Sequence, residues 1–394
     1  MNKIKTSYEH TIYASYIGYI TQAIVNNFAP LLFLTFATDY NLTLDKITLF
    51  TTVNFCVQLI VDLLSAKFID GIGYRKSVIA AHIFSAAGLI GMAFLPDLCG
   101  NAYVGLMIAV VLYAIGGGII EVLISPIVEA CPTKKKEAAM SLLHSFYCWG
   151  HVGVVVISTV FFALFGISNW KIMACIWAIV PILNCFYFAY VPIYDIVSDS
   201  ERVPLGNLLK TKTFWLFMVI MICAGASEQG MSQWASAFAE SALHVTKTVG
   251  DLAGPCAFAI FMGTARAIYG KYSEKLPLKK FMLASASLCI VCYLIAVFAD
   301  NSIFGLIGCA LCGFSVGIFW PGTFSMAAWN MIGGGTAMYA LMALAGDVGC
   351  SCGPTVVGMV ANSCGGNLKS GILAAIVFPV LILILVPFVK DKQK

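Results

Sequence analysis

The sequence predicts an all-α membrane protein with twelve transmembrane helices in two pseudo-symmetric six-helix bundles. Three observations lead to this prediction: an apolar composition, the number and length of the apolar runs, and a repeat between the two halves. Hydrophobic residues make up 60% of the 394 residues and charged residues only 11%, whereas a soluble domain carries roughly 25% charge. With a mean hydropathy of +0.91, the chain needs lipid as its solvent.

Apolar runs long enough to cross a bilayer recur along the whole chain. The predicted helices cover 10–37, 47–69, 77–95, 102–130, 137–166, 170–193, 213–240, 249–272, 280–299, 302–330, 334–361 and 368–389. The first run follows Lys3 and Lys5 and is too long for a signal-peptide core, so we interpret it as a span. The longest polar stretch predicts an N-terminal bundle over 1–193, a cytoplasmic linker over 194–212 and a C-terminal bundle over 213–394.

The basic residues favour one side of the membrane. With both termini inside, the inner segments hold eighteen lysines and arginines and the outer loops hold four. This bias predicts a multi-pass protein of the cell (inner) membrane, with both termini in the cytoplasm and the lipid bilayer as its surroundings. Because the basic residues cluster in loops and form no continuous face, no nucleic-acid partner is expected.

The two halves resemble one another in sequence. A shift of 204 residues places Arg75-Lys76 over Lys279-Lys280 and Asp62 over Arg266, so the same charged turn occurs twice. A shift of 196 places 149–153 over 345–349, around His151 and Asp347. Parallel six-helix repeats are typical of transporters whose site lies near mid-membrane at the interface of the halves.

The stretch Ala66–Lys76 resembles the signature loop between helices 2 and 3 of the major facilitator superfamily. Asp70, Gly73 and the pair Arg75-Lys76 match that signature, whereas Ala66 replaces its leading Gly and Gly71 its usual Arg. The resemblance implies the major facilitator fold over the whole chain.

Within that superfamily, the run Gly116-Gly117-Gly118 followed by Glu121 and Pro126 resembles the fourth helix of the fucose permease branch of sugar/proton symporters. Ser125 stands where that branch has Asn. Asn26-Asn27 before Pro30, and His144-Ser145-Phe146, resemble its pocket segments, but its protonatable Asp in helix 1 is not found. Helix 5 lacks the Gly-Pro-x-x-Gly-Gly pattern of drug/proton antiporters, which makes export a less favoured interpretation.

Ionisable side chains inside a membrane span are the candidates for proton coupling. Each costs roughly 2.5 to 3.5 kcal/mol on insertion scales, so it needs a partner, water or a change of protonation. Glu121 is predicted to exchange a proton with the cavity; the alternative is an acid locked to a neighbouring helix. The predicted coupling residues are Glu121, Glu228, Asp347 and His151.

Polar and aromatic side chains on the spans are the candidates for solute binding. Tyr19, Gln22 and Asn26 follow i, i+3, i+7 and share one helix face. A sugar needs paired polar groups for its hydroxyls and an aromatic surface for its ring. The predicted binding residues are Tyr19, Gln22, Asn26, Asn27, Glu121, His144, Trp149, Glu228, Gln229, Trp234 and Trp320. Structural packing is the alternative for Glu228, Gln229 and Trp234, and a lipid-facing or interfacial position is the alternative for Trp149 and Trp320.

Other charged residues are predicted to act in gating, namely Asp62, Asp70, Arg75 and Arg266. Arg266 has a second interpretation, binding of a carboxylate or phosphate. The fifteen cysteines lie mostly in apolar runs and are interpreted as small packing residues, so we expect no metal and no cofactor.

Together these patterns predict a secondary active transporter, a monomer, that takes up a sugar or similar small polar solute with a proton by alternating access. The alternative is an exporter or organic-anion carrier of the same superfamily. A sensor would need an added soluble domain, and an enzyme a reactive constellation; neither is found, so we expect no enzyme. The absence of a nucleotide-binding loop indicates an ion gradient as the energy source.

Overall fold

The computed structural model describes residues 6–133, 136–194, 209–272, 276–299, 301–331 and 335–390, and these residues are almost entirely helical. Twelve of their helices are long and apolar enough to cross a membrane. The predicted number of spans and the all-α class are therefore confirmed.

The first six spans are largely continuous helices. They are α1 Tyr8–Asn27, α2 Leu44–Ile72, α3 Tyr74–Leu98, α4 Ala102–Glu129, α5 Lys136–Phe165 and α6 Trp170–Tyr190. Span 1 continues beyond α1 through a 3-10 turn at Ala29–Leu32 and a short helix at Phe33–Asp39.

The second six spans contain more interruptions. They are α7 Lys212–Ser232, α8 Ala257–Tyr272, α9 Leu278–Phe298, α10 Ser302–Val316, α11 Gly335–Ser363 and α12 Leu368–Ala375. Short helices extend three of these spans, at Ala235–Leu243, Phe319–Asn330 and Val377–Leu385. Span 8 begins with Lys247–Asp251 and a π-helical turn at Leu252–Cys256.

Several spans that the sequence predicts as single helices are broken. Pro30 lies in the 3-10 turn of span 1, and Pro255 lies in the π turn of span 8. Proline lacks the N–H that continues an α-helix, and its ring crowds the preceding turn. Such breaks leave backbone carbonyls available to side chains, and π turns occur often at functional sites.

The chain divides into two compact units. The first contains Met1–Leu42 and Val53–Ser198, and the second contains Thr43–Thr52 and Asp199–Lys394. The short segment Thr43–Thr52 belongs to the second unit, where Thr48 lies against Gly358. Most of the predicted linker 194–212 lies outside the described residues, and the predicted domain boundaries stay a prediction.

Close helix packing in each unit depends on glycine. A Cβ on Gly116 of α4 would lie 2.5 Å from the carbonyl oxygen of Ala81 on α3, and one on Gly349 of α11 would lie 2.0 Å from that of Ile222 on α7. Any side chain would therefore force these helices apart. Small residues allow such close approach between membrane helices.

The charged turn that the sequence repeats is also repeated in three dimensions. Arg75, at the start of α3, donates to the carbonyl oxygens of Phe188 at 2.8 Å and Ala189 at 3.0 Å, near the end of α6. Lys279, its counterpart at the start of α9, donates to the carbonyl oxygen of Val389 at 2.7 Å. In each unit a basic side chain thus satisfies carbonyls that the end of a helix leaves open.

We expect Arg75→Met to destabilise the protein by about 1 to 3 kcal/mol, because it leaves the part-buried carbonyl oxygen of Phe188 on α6 without its charged donor. Lys76→Met is the matched control, since Lys76 is its exposed neighbour in the same turn. Thermal unfolding of the two purified variants in detergent measures the difference. Equal loss in both variants would contradict this role of Arg75.

A cluster of three charged side chains lies between α7 and α8. The Lys247 ammonium lies 3.1 Å from an Asp251 carboxylate oxygen and 3.4 Å from a Glu240 oxygen. Asp251 is fully buried and also accepts a hydrogen bond from the Ser236 hydroxyl. Burial raises the pKa of the Glu240 carboxyl, and the charge of Lys247 partly offsets this. The lysine thus compensates two carboxylates that water reaches poorly.

Candidate functional site

A short hydrogen bond between α1 and α4 lies at the centre of the polar site in the first unit. The Gln22 side chain donates from Nε2 to the Glu121 Oε2 atom at 2.6 Å. The side chain of Gln22 is buried, and its Oε1 atom has no hydrogen-bond partner in the described structure. The sequence predicted both residues for the site but did not predict that they are bonded to each other.

Three amide side chains form a network beside this bond. The Asn26 Oδ1 atom accepts from Asn54 Nδ2 at 3.2 Å and from Gln58 Nε2 at 2.8 Å. Gln58 Nε2 also donates to Asn54 Oδ1 at 3.0 Å. All three side chains are buried. A row of amides that satisfy one another within an apolar bundle provides donors and acceptors in fixed positions.

Glycines in α4 allow this network to lie close to Glu121. A Cβ on Gly117 would lie 3.2 Å from Val25 of α1 and 3.4 Å from the amide carbon of Gln58. A Cβ on Gly118 would lie 3.0 Å from the Cα atom of Gln58. The glycine run that precedes Glu121 therefore brings α4 against both α1 and α2.

Asp62 is the second acid of this unit. It lies on α2, one turn after Gln58 and directly after Val61, whose Cβ atom would lie 3.1 Å from a Cβ on Gly118 of α4. Within the described part of the chain, no lysine, arginine or histidine forms an ion pair with Glu121. The site thus brings together two acidic groups and several neutral amides.

Aromatic side chains lie beside the polar groups of the first unit. The Tyr19 hydroxyl is 3.0 Å from the Ser125 hydroxyl, and its ring packs edge-on against His144 with centroids 5.4 Å apart. Tyr16 and Phe146 stack nearly parallel, with centroids 4.4 Å apart. Tyr19 and His144 were predicted for the site. Tyr16 was missed, although it lies one helical turn before Tyr19.

The second unit holds an ion pair between a buried glutamate and a half-buried arginine. Arg266 Nη2 of α8 lies 3.6 Å from the Glu228 Oε2 atom of α7. Arg266 Nε also donates to the carbonyl oxygen of Gly317 at 3.2 Å. This carbonyl is accessible because α10 ends at Val316 and its span resumes only at Phe319. The sequence predicted both ionisable residues but did not predict their pairing.

Further polar groups surround this ion pair. Gln229 donates to Glu228 Oε1 at 3.4 Å and accepts from Gln233 Nε2 at 3.1 Å. Trp320 packs against α11 at Gly346, where an added Cβ would lie 2.2 Å from the indole ring, and Asp347 follows directly as a buried acid. Gln229, Trp320 and Asp347 are compatible with the predicted site.

Two of the predicted tryptophans have surroundings that fit the alternatives to solute binding. Trp234 is 0% exposed, and its indole N–H donates to the carbonyl oxygen of Pro354 at 3.0 Å, so we assign it to packing between helices. Trp149 is 60% exposed and shares a face of α5 with the exposed Val160 and Leu164, so we assign it to the apolar outer surface. The role of both rings in solute binding stays a prediction.

The remaining residues predicted for binding, coupling and gating are buried or hydrogen-bonded to the backbone, except one whose side chain lies outside the described ones. Asn27 donates to the carbonyl oxygen of Ala23 in its own helix, and His151 is buried on α5. Arg75 binds the end of α6, which is compatible with its predicted role in gating without testing it. The predicted gating residue Asp70 has a side chain outside the described ones.

A buried polar contact in the first unit was missed entirely. Asn184 of α6 donates from Nδ2 to His82 Nε2 of α3 at 2.8 Å and to the carbonyl oxygen of Ala14 of α1 at 3.0 Å. The only signal in the sequence was that each is an isolated polar residue within an apolar run. The described residues contain no group of three or more histidine, cysteine, aspartate and glutamate side chains suited to a metal ion.

Comparison with known proteins identifies the family of this chain. The family description Major Facilitator Superfamily matches residues 15–354. The chain belongs to the Major Facilitator Superfamily. It is therefore a multi-pass membrane protein of a transporter superfamily, as its signature loop suggested. No curated protein sequence matches it significantly.

Several solved transporter structures share its fold over nearly the whole chain. The D-xylose-proton symporter has a TM-score of 0.76 at 13% identity, with 98% of each chain covered. A bacterial homolog of the human lysosomal transporter Spinster has a TM-score of 0.75 at 14% identity, covering 97% of this chain and 96% of that one. The E. coli fucose:proton symporter FucP has a TM-score of 0.65 at 15% identity, covering 98% and 100%.

Proposed function

We propose that this superfamily member is a proton-coupled symporter that takes up a sugar or similar small polar solute by alternating access. The observation that carries the proposal is the Gln22–Glu121 hydrogen bond, placed beside the amides of Asn26, Asn54 and Gln58. An acid inside an apolar bundle and without a basic partner is able to change charge when it takes or releases a proton. Glu121 therefore suits the role of coupling residue.

The polar groups around Glu121 match the chemistry of a hydroxylated solute. Amide and carboxylate oxygens accept from hydroxyl groups, and amide nitrogens donate to them. The aromatic rings of Tyr16, Tyr19 and Phe146 supply apolar surface for the faces of a sugar ring. The similar structures include symporters for fucose and xylose, which is consistent with this solute class.

Glu228 has a different role in this proposal from the one that the sequence suggested. Glu228 has a basic partner in Arg266, which Glu121 lacks among the described residues, so we now assign proton coupling to Glu121 and solute contact to Glu228 with Gln229. The same pairing weakens the alternative of an organic-anion carrier, because the guanidinium already has a carboxylate partner.

The orientation of the protein in the membrane is inferred from the distribution of its basic residues. Eighteen basic residues in the inner segments against four in the outer loops support cytoplasmic termini and a location in the cell (inner) membrane.

The test is solute-driven proton movement in proteoliposomes. The purified protein is reconstituted with a trapped pH indicator and exposed in turn to sugars, polyols and small organic acids without an imposed gradient. We expect an uncharged sugar or polyol to acidify the lumen as it enters. Movement of an organic acid alone, or of a sugar without any proton, would contradict the proposal.

A further inference from the structure

The outer end of span 7 is a separate short helix. α7 ends at Ser232, and the helix Ala235–Leu243 begins after a break. At the other end of this short helix, His244 has a left-handed backbone with a φ of 56°, and span 8 then begins with Lys247–Asp251. Residues at helix ends absorb the backbone rotations of a hinge. The short helix therefore has irregular backbone on both sides and is able to move separately from α7.

One serine hydroxyl lies between the two carboxylates that join the short helix to span 8. The Ser236 hydroxyl donates to Asp251, and its oxygen also lies 3.4 Å from Glu240 Oε1. The Lys247 ammonium is nearer to Asp251, at 3.1 Å, than to Glu240, at 3.4 Å. A hydroxyl has a single proton to donate. A proton on Glu240 therefore completes the group, because Glu240 then donates to the serine oxygen.

The net charge of this group depends on Glu240. Lys247 supplies one positive charge, and Asp251 and Glu240 supply two negative charges when both are ionised. The Asp251 side chain is 0% exposed and the Glu240 side chain 21%, so water compensates a surplus charge poorly. One proton on Glu240 makes the group neutral. Loss of that proton adds an uncompensated charge to the contact between the short helix and span 8.

The elements that pack on the short helix contribute few other charges. They are the start of span 8, α10 and α12. α10 contains no acidic residue, lysine, arginine or histidine, and α12 contributes Lys369 in its first turn. The exposed His244 ends the short helix itself. Its titration is therefore the one to separate experimentally from that of Glu240.

We propose that Glu240 is a pH-sensitive latch, which holds the short helix Ala235–Leu243 against the start of span 8 when protonated and releases it when ionised. This inference rests on the proposed function for the side of the membrane, since cytoplasmic termini place the latch outside. Gln233, in the break before the short helix, donates to Gln229, which is assigned to solute contact. External pH thus acts on solute binding separately from Glu121, and the docked helix favours tighter binding at acidic pH.

The pH dependence of the latch has a definite sign. Burial raises the pKa of the Glu240 carboxyl above its ordinary value of 4.5, and the charge of Lys247 offsets only part of this. A carboxyl with a raised pKa in the folded protein gives stability that is fully present below the unfolded pKa and is lost as pH rises through the folded one. The short helix is therefore docked at acidic pH and loosens as pH rises.

Hydrogen exchange of the backbone amides in 235–251 measures the latch directly. Purified full-length protein in detergent is compared from about pH 5 to about pH 8, with rates corrected for the intrinsic effect of pH. Exchange reports the local opening of a segment. We expect wild-type protection of this segment to fall about fivefold or more, since one pKa unit corresponds to about a tenfold change in an equilibrium. Glu240→Gln has no proton to lose and should show the same protection at every pH.

Controls separate Glu240 from the neighbouring histidine and from the coupling site. His244→Asn removes the exposed titratable group and keeps a residue that tolerates a left-handed backbone, so it should retain the wild-type pH dependence. Loss of the pH dependence in His244→Asn, or its persistence in Glu240→Gln, would overturn the latch. So would pH-independent protection in the wild type, a result that needs no variant to fold. If that occurs while a sugar still drives proton uptake, the latch is wrong and the proposed function stands.

Discussion

Glu121→Gln is expected to abolish solute-driven proton uptake while leaving solute exchange intact. Glutamine has nearly the same shape and is able to bond Gln22, but it has no proton to take or release. The variant should therefore equilibrate solute across the membrane without accumulating it against a gradient. Proteoliposomes loaded with a pH indicator and labelled solute give both quantities, and we expect proton movement to fall to the level of empty vesicles.

Two comparisons make this result specific. Glu9→Gln removes an exposed carboxylate and should keep full coupling, which controls for the loss of one negative charge. Glu228→Gln should impair solute binding more than coupling, because Glu228 is paired with Arg266. Persistent accumulation and proton flux in Glu121→Gln would remove Glu121 from the mechanism, although superfamily membership would be unaffected.

The number of spans was predictable because hydropathy and helix length are local properties of the sequence. The breaks within the helices were less predictable. Pro30 and Pro255 are visible in the sequence, but whether a proline bends, breaks or widens a membrane helix depends on which neighbours satisfy the freed backbone groups. At Gly317 the break in α10 is accompanied by a hydrogen bond from Arg266, a residue fifty-one positions earlier.

The candidate site was predictable along each helix but not between helices. The i, i+3, i+7 spacing correctly grouped Tyr19, Gln22 and Asn26 on one face of α1, and each contacts a different neighbour. Their partners are Ser125, Glu121 and the amides of α2. Those partners depend on how far one helix is displaced along another, and no pattern within a single helix specifies that displacement.

The internal repeat likewise indicated positions along each helix but not the contacts between helices. The repeat aligned Asp62 with Arg266 and so marked both as functional candidates. In the structure Asp62 lies on α2 beside the amide network of the first unit, and Arg266 pairs with Glu228 within the second. The repeat therefore preserved the position of an ionisable group and changed its electrostatic role from adding negative charge to neutralising it.

Arg266→Met is expected to give the largest loss of stability among the substitutions considered. It leaves the buried Glu228 carboxylate without its counter-charge and the Gly317 carbonyl without its donor. Removal of one member of a fully buried ion pair costs about 3 to 5 kcal/mol. Because the Arg266 side chain is 28% exposed, we expect a loss near the lower end of that range. Thermal unfolding in detergent measures this loss. Arg266→Lys is the comparison variant, because it keeps the positive charge but loses the several N–H donors of the guanidinium group.

The double variant decides whether the ion pair is the cause. If the cost of Arg266→Met arises from an uncompensated Glu228, then Glu228→Gln should recover part of the lost stability in that background, since no charge is then left buried. The recovered part is the coupling energy of the two residues, which we expect to exceed about 1 kcal/mol. Simple addition of the two single losses would show that Arg266 stabilises α8 through Gly317 alone, and the electrostatic role of the second unit would have to be reassigned.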